Sequence, residues 1–442
     1  MAHTATPTAP QSGVAYLVSH YPAVSHAFIE REVLALRALG VDVHTFSVRA
    51  SQPAELLSQT MRTEAARTTT LLGRPLADHA RAQLGLLARH PVAWARTLVG
   101  ALGSGPRTPR ARVWQVFYFA EAVTLRAELV RRGLRHVHVH FANNGADVAR
   151  LVARLGRAAD GPGAGWRWSF SMHGPTEFAD PVAFDLAAKV RSADAIACIS
   201  EYCRAELAAL VPAGTGARTA IVRMAVDPDR FPADADLRAG RDEGAVRVLF
   251  VGRLVPEKGP DVLLDAVQRV LARDRRVEVA VVGAGPLAGD LRRTVDERGL
   301  AGVVRLLGAV GQDDLPAWYR WADVFCLPSY AEGVPVVLME AMATELPVVT
   351  TPVAGIPELV EDGVSGHLVA PGDAAAVADA LVRLVDDPQT RAALGRRGRA
   401  RVLAEFAPET NARRLARLLG LTVHDRRVEL PDVPAARSAG AL

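Results

Sequence analysis

The second half of the chain repeats one unit, a short apolar run, then a glycine, then a longer stretch with helical spacing. Val246 to Val251 stops at Gly252, Val277 to Val282 stops at Gly283, and Val303 to Leu307 stops at Gly308. Strands that alternate with helical stretches in this way are joined by crossovers, which makes them parallel. The alternation continues through Val324 to Leu327 and on to Val349, which predicts a doubly wound α/β sheet. At 442 residues the chain exceeds one ordinary core, and at roughly 150 residues per domain two domains are expected.

The first half opens in the same way. Val14 to Val18 reads as a strand, Ser19 to His26 as a polar loop, Phe28 to Leu36 as a helix closed by Gly40, and Val41 to Phe46 as the next strand. This opening lacks a G-x-G-x-x-G fingerprint, so a nicotinamide dinucleotide gets no support. Later strands run from His136 to His140, from Trp166 to Met172 and from Ala195 to Cys198, and Ser200 is a natural N-cap for the helix that follows. The boundaries are a disordered leader over 1–12, a first domain over 13–228 and a linker over 229–244. A second domain over 245–405, a C-terminal helix over 406–424 that crosses back to the first domain, and a tail over 425–442 complete the chain. Residues 54–133 read as a helical insertion in the first domain.

Charge is unevenly spread. The net charge is +4, yet from Pro53 to Arg135 there are 13 arginines against 5 acids. Arginines solvating helix faces are the plain explanation, and peripheral contact with an anionic membrane face is the alternative that stays open. The three cysteines, Cys198, Cys203 and Cys326, form no ligand cluster and suit a reducing compartment. With no signal peptide and no spanning apolar run, a cytoplasmic protein is expected, with the inner face of the cell membrane as its furthest reach. His136, His138 and His140 fall on one strand face, which is read as a satisfied, half-buried face; no metal is expected.

The chemistry concentrates in Leu327 to Val349. Glu332 lies in a loop before a short helix, Glu340 lies about two turns inside that helix, and Pro335 is assigned to its first turn. Unpaired backbone N–H groups from Gly333 to Val336 suit an anion, and carboxylates beside an anion make sense if the ligand also carries hydroxyls, as a nucleotide sugar does. Arg253 and Lys258, just past the strand ending at Val251, can clamp a diphosphate. His173 ends a strand at His173-Gly174, where it either presents its imidazole to an interdomain cleft or caps its own loop.

Taken together, Gly252-Arg253-Leu254 with Glu257-Lys258-Gly259, Gly283-x-Gly285-Pro286-Leu287, Ser329-x-x-Glu332-Gly333 and Glu340-Ala341-Met342-Ala343 closely resemble the retaining glycosyltransferases of the GT-B fold known as family 4. The first half resembles the branch that builds exopolysaccharides of the colanic-acid type, through Tyr21-Pro22-x-x-Ser25-His26-x-Phe28-Ile29, His138-x-His140-Phe141-Ala142-Asn143-Asn144 and His173-Gly174-Pro175. The resemblance implies two Rossmann-like domains facing across a cleft, the first for the acceptor and the second for the donor. It implies that Arg253 and Lys258 hold the donor diphosphate, that Glu332 contacts sugar hydroxyls, and that Glu340 contacts the ribose. Gly252, Gly285, Gly333, Val334, Pro335 and Val336 would line the donor, His173 would sit beside the transferred sugar, and Ser25, His26, Asn143, Asn144 and Glu177 would face the acceptor.

The implied partners are a nucleotide-diphosphate sugar and a glycan or polyprenyl-diphosphate-linked acceptor, with no cofactor, no metal and no nucleic acid. The rivals are a non-catalytic sugar-nucleotide-binding subunit of a polysaccharide assembly complex and a GT-B epimerase. A phosphorylase needs a lysine-bound pyridoxal phosphate, and Lys189 and Lys258 are the sole lysines. His26 departs from the glutamate common in relatives, and Ala225 and Glu345 stand where glycines are common.

Overall fold

A computed structural model describes residues 13–23, 26–106, 108–212, 217–233 and 244–424. The expected leader, the tail, most of the linker and the acceptor candidate Ser25 lie outside the described residues. The first sheet contains β1 (Gly13–His20), β2 (Asp42–Arg49), β3 (Thr69–Thr70), β4 (His136–His140), β5 (Arg167–Met172), β6 (Ala195–Cys198) and β7 (Arg218–Ile221). Its strands are all parallel, in the order β3-β2-β1-β4-β5-β6-β7. The second contains β8 (Val246–Val251), β9 (Val277–Val282), β10 (Val304–Gly308), β11 (Val324–Leu327), β12 (Val348–Thr350) and β13 (Gly366–Leu368). It is parallel too, in the order β10-β9-β8-β11-β12-β13.

Both orders run outward from the first strand in one direction and then resume on its other side. Each sheet therefore has a switch point, between β1 and β4 and between β8 and β11, where successive loops diverge and leave a crevice at the carboxyl edge. The loops at these points include Tyr21 to Ala23 and His26, and Phe141 to Asn143, in the first domain. In the second they are Gly252 to Lys258 and Pro328 to Pro335.

One expectation about the first domain gains detail and one needs correction. Residues 54–133 are predominantly helical, with a single edge strand, β3, which pairs Phe46 with Thr69. They also supply the crossover helix Pro109–Arg131, packed along the helix Asn144–Asp160. A two-residue strand has no period of its own, and so the segment reads as helical throughout. The β4 histidines, moreover, are wholly buried, with His138 at 0% exposure. A central parallel strand has helices over both faces, so the alternation of His and Val separates two interiors rather than core from solvent.

The C-terminal helix Pro408–Leu419 leaves the second domain and packs on the helix Ala27–Ala38 of the first. Leu415, Ala416 and Leu419 share one apolar cluster with Val33 and Leu36. Leu415→Ala removes a fully buried side chain from this seam and should cost about 2–5 kcal/mol, read as a fall in the denaturant midpoint of the first domain. A loss below half a kilocalorie would show that the helix does not stabilise the first domain.

Candidate active site

The two carboxyl edges face each other around a cavity of about 580 Å³. His20, Ala23, Phe28 and Glu55 line it from the first domain, and Gly252, Arg253, Gly283, Val336, Val337 and Glu340 are among those from the second. Arg253 is exposed at the end of β8. Gly283 has to be a glycine because its turn crosses in contact with the turn at Gly252. A Cβ on Gly283, whose φ is 149°, would collide with the Gly252 carbonyl. Gly285 does the same job one step on, against the Leu254 carbonyl, and so supports the cavity wall without lining it.

The loop after β11 and the helix it leads into hold most of the predicted donor residues. Pro335 is not in the first helical turn but at the N-cap, with ψ of 125°, and the helix runs Val336–Ala343. No side chain caps its start, so the first backbone N–H groups are open to a ligand at the cavity wall formed by Val336 and Val337. Val334 is buried beneath them. Gly333 is where the domains touch, since a Cβ there would strike the His173 carbonyl.

Every carboxylate and amine that the sequence singles out here already has a partner of opposite charge. Lys258 Nζ donates to both oxygens of Glu332, at 2.6 and 2.7 Å, and the Ser329 hydroxyl donates to Oε1 at 2.7 Å. An ammonium has three N–H donors, so one is left for a ligand. Neither residue lines the cavity itself. Glu340 accepts from Arg31 Nη2 at 2.6 Å and from the Tyr319 hydroxyl at 3.0 Å. Arg31 belongs to the first domain, so this buried pair ties the domains together directly behind the cavity. Two of roughly four carboxylate acceptor positions remain for ligand hydroxyls.

Arg31 and Tyr319 escape sequence reasoning. The available hint is that Glu30 and Arg31 sit beside Ile29 and Val33 on the helix face that turns inward.

The β4 histidines form a ladder with β5. His136 and His138 both meet the Ser169 hydroxyl at 2.8 Å, and His138 reaches Ser171 at 3.1 Å. Glu32, His138 and His140 place ligand atoms within 4.8 Å of one another, in principle enough for a metal ion. Their nitrogens are already engaged by serines, by His173 and by Glu32 itself, and burial pushes the His138 and His140 pKa values down to about 3.

These contacts fix the tautomers. Glu32 Oε1 accepts the Tyr16 phenol proton at 2.6 Å and meets His140 Nε2 at 3.1 Å. Burial raises the Glu32 pKa; in its ionised form the carboxylate has no proton to give, so Nε2–H of His140 is then the donor and its Nδ1 is bare. His140 Nδ1 lies 2.9 Å from His173 Nε2, which must then carry the hydrogen, leaving His173 Nδ1 as a lone-pair acceptor. That atom is buried without a hydrogen-bond partner. The His173 ring therefore belongs to a buried relay and does not cap its own loop. It does not line the cavity, but Phe28, which does, lies 4.7 Å from it between ring centroids.

The remaining acceptor-side candidates make local contacts. Asn143 caps the helix Asn144–Asp160 by accepting from the Gly145 N–H at 3.1 Å. Glu177 is buried and accepts from the Ala142 N–H at 3.2 Å. His26 is half-buried, with Nδ1 3.0 Å from the His20 carbonyl, and Asn144 is exposed at the helix start.

With this geometry in view, comparison with known proteins is direct. Residues 245–387 match the family of group 1 glycosyl transferases. The D-inositol 3-phosphate glycosyltransferase of Streptomyces scabiei is 38% identical over 225 residues, covering 48% of this chain and 50% of that protein. The amylovoran biosynthesis glycosyltransferase AmsK of Erwinia amylovora is 35% identical over 205 residues, covering 45% and 50%. The chain thus spans about half the length of these curated relatives. Anabaena Alr3699/HepE, solved in complex with UDP-glucose, superposes over 92% of this chain and 99% of its own, with a TM-score of 0.65 at 18% identity. The fold is GT-B.

The relay is testable without any substrate. In Glu32→Gln the amide can offer an N–H to His140 Nε2, which reverses the chain and places the proton on His173 Nδ1. Long-range proton–nitrogen NMR of the imidazoles should find His173 Nδ1 bare in the unaltered protein and protonated in the variant. The same tautomer in both would rule out control by Glu32.

Proposed function

We propose that this protein is a retaining, metal-independent glycosyltransferase that moves a sugar from a nucleotide-diphosphate sugar to a glycan or lipid-linked oligosaccharide in polysaccharide biosynthesis. The observation that carries this reading is the cavity shared by the two switch points, with the exposed Arg253, the open helix start at Val336 and the Glu340 carboxylate on one wall. Cationic and N–H donors suit the diphosphate, and the carboxylate suits ribose hydroxyls. The group 1 family match, the named activities of the relatives and the UDP-glucose held by a protein of the same fold support the same class of donor.

In this mechanism Arg253, with the remaining N–H of Lys258, takes up charge as the sugar–phosphate bond breaks and the nucleotide leaves. The helix start adds its partial positive charge, so these groups do the work that a divalent cation would do. The acceptor hydroxyl attacks on the face the diphosphate leaves from, its oxygen bonds to the anomeric carbon, and its proton goes to a phosphate oxygen. A glycosidase-type double displacement is disfavoured because it uses two carboxyl groups about 5–5.5 Å apart flanking the bond. Here Glu332 is held by Lys258 and Ser329, Glu340 is held by Arg31 and Tyr319, and both acids belong to one domain.

Arg253→Ala should lower turnover of a nucleotide sugar roughly 100- to 1,000-fold, the usual loss when one transition-state donor is removed. Proton NMR of the first product formed should show an anomeric centre of the donor's configuration; inversion would overturn the front-face route. Donor binding with no turnover on any acceptor would instead identify a binding subunit, and conversion of the donor sugar without acceptor an epimerase.

A further inference from the structure

The helix Pro109–Arg131 is much longer than the strand it feeds. Its 23 residues span about 34 Å, whereas the five residues of β4 span about 16 Å, so one end overhangs the sheet. The helix enters β4 through the turn at Gly133, which sets its C-terminal end at the amino edge of the sheet. The overhang is therefore its start, at the carboxyl edge where the cavity opens. Charge contacts agree on the level. Tyr118 senses Asp147, in the first turn of the helix after β4, and Glu121 senses Arg49, the last residue of β2. Residues before Tyr118 lie beyond the strand ends.

That overhang is apolar and bare. Val113, Trp114, Val116 and Phe117 are exposed on one side of the helix, Phe117 to 55%. Trp114 gathers Phe117 and Tyr118 into a surface cluster, with ring centroids 5.8 and 6.1 Å apart. The helices Leu76–Arg89 and Pro91–Leu102 pack alongside and expose Leu84, Val92 and Val99. From His79 to Ala120 the sequence contains six arginines and no acid. A face that is apolar with an excess of arginine tends to bring like charges together when it pairs with itself across a two-fold axis, which disfavours a second copy. Aromatic and aliphatic side chains rimmed by arginine are what a headgroup region with negative charge accepts. No described helix is long and apolar enough to cross a membrane, so such contact would lie flat on the surface.

We propose that the overhanging start of the helix Pro109–Arg131, flanked by Leu76–Arg89 and Pro91–Leu102, docks on an anionic lipid bilayer. Trp114 and Phe117 insert at headgroup depth, and Arg110 and Arg112, both exposed, meet the lipid phosphates. Docked in this way, the protein holds its cavity mouth against the membrane, so that an acceptor's polar head enters the cleft while its lipid tail stays in the bilayer. This last step rests on the glycosyltransferase reading; the docking itself does not.

Flotation of the full chain with phosphatidylcholine vesicles, with and without phosphatidylglycerol, tests it. Binding should require phosphatidylglycerol and should weaken as salt rises. Trp114→Ser with Phe117→Ser should abolish flotation, and Arg110→Ser with Arg112→Ser should weaken it about tenfold or more. Because all four side chains are exposed, melting temperatures and UDP binding by calorimetry should match the unaltered protein. Absence of flotation while a nucleoside diphosphate, UDP or GDP, still binds would overturn the docking and leave the enzymatic reading standing; flotation without binding of either would do the reverse. Equal binding to neutral vesicles would refute the electrostatic part. Concentration-dependent dimers in sedimentation that the aromatic pair of substitutions breaks, without vesicle binding, would reassign the face to self-association.

Discussion

A parallel sheet delivers every strand-to-helix turn to one edge, and this protein sets two such edges against each other. Ligand-sized space arises where each sheet reverses its order, so the position of the cavity follows from topology before any side chain is chosen. The side chains then settle what that space accepts. Gly283, Gly285 and Gly333 let backbones approach closely, and Arg253 and the start of the helix Val336–Ala343 bring positive character to the wall.

The acids of the site are partnered before a ligand arrives. Glu332 has Lys258 and Glu340 has Arg31, and the second pair crosses from one domain to the other with both side chains under 10% exposed. Buried pairs like this add little net stability against apolar alternatives, yet losing one partner leaves a stranded charge. Their value here is directional. A carboxylate held on one side has its free lone pairs aimed at the other, and the Glu32, His140 and His173 relay does the same for a neutral imidazole.

How much of this the sequence could disclose depends on range. Gly-punctuated strands, the Ser200 cap and the cluster of Arg253, Lys258, Glu332 and Glu340 near strand ends are local patterns, and local patterns are legible. The two-residue β3 is too short to leave a period, so the segment around it reads as helix alone. Arg31 and Glu340 stand 309 residues apart, and nothing in either neighbourhood names the other. The β4 histidines mislead for a different reason, because alternation between His and Val looks like a half-wet strand until the helices over both faces are in place. Asn143 and Glu177, read as acceptor contacts, each also accept a backbone N–H, from Gly145 and Ala142, which no local pattern announces.

Glu358 adds a mechanical consequence to the closed arrangement. It lies in the second domain, yet its two oxygens accept the N–H groups of Glu201 and Tyr202 in the first, each at 2.9 Å, and one also meets Arg223 at 3.1 Å. Ser200 covers the next N–H in the same helix at 3.1 Å. The helix Glu201–Ala209 thus borrows half its cap from the opposite domain. Swinging the domains apart would unseat that carboxylate and hand two backbone donors to water, so hinge motion and the fraying of one helix end are the same event.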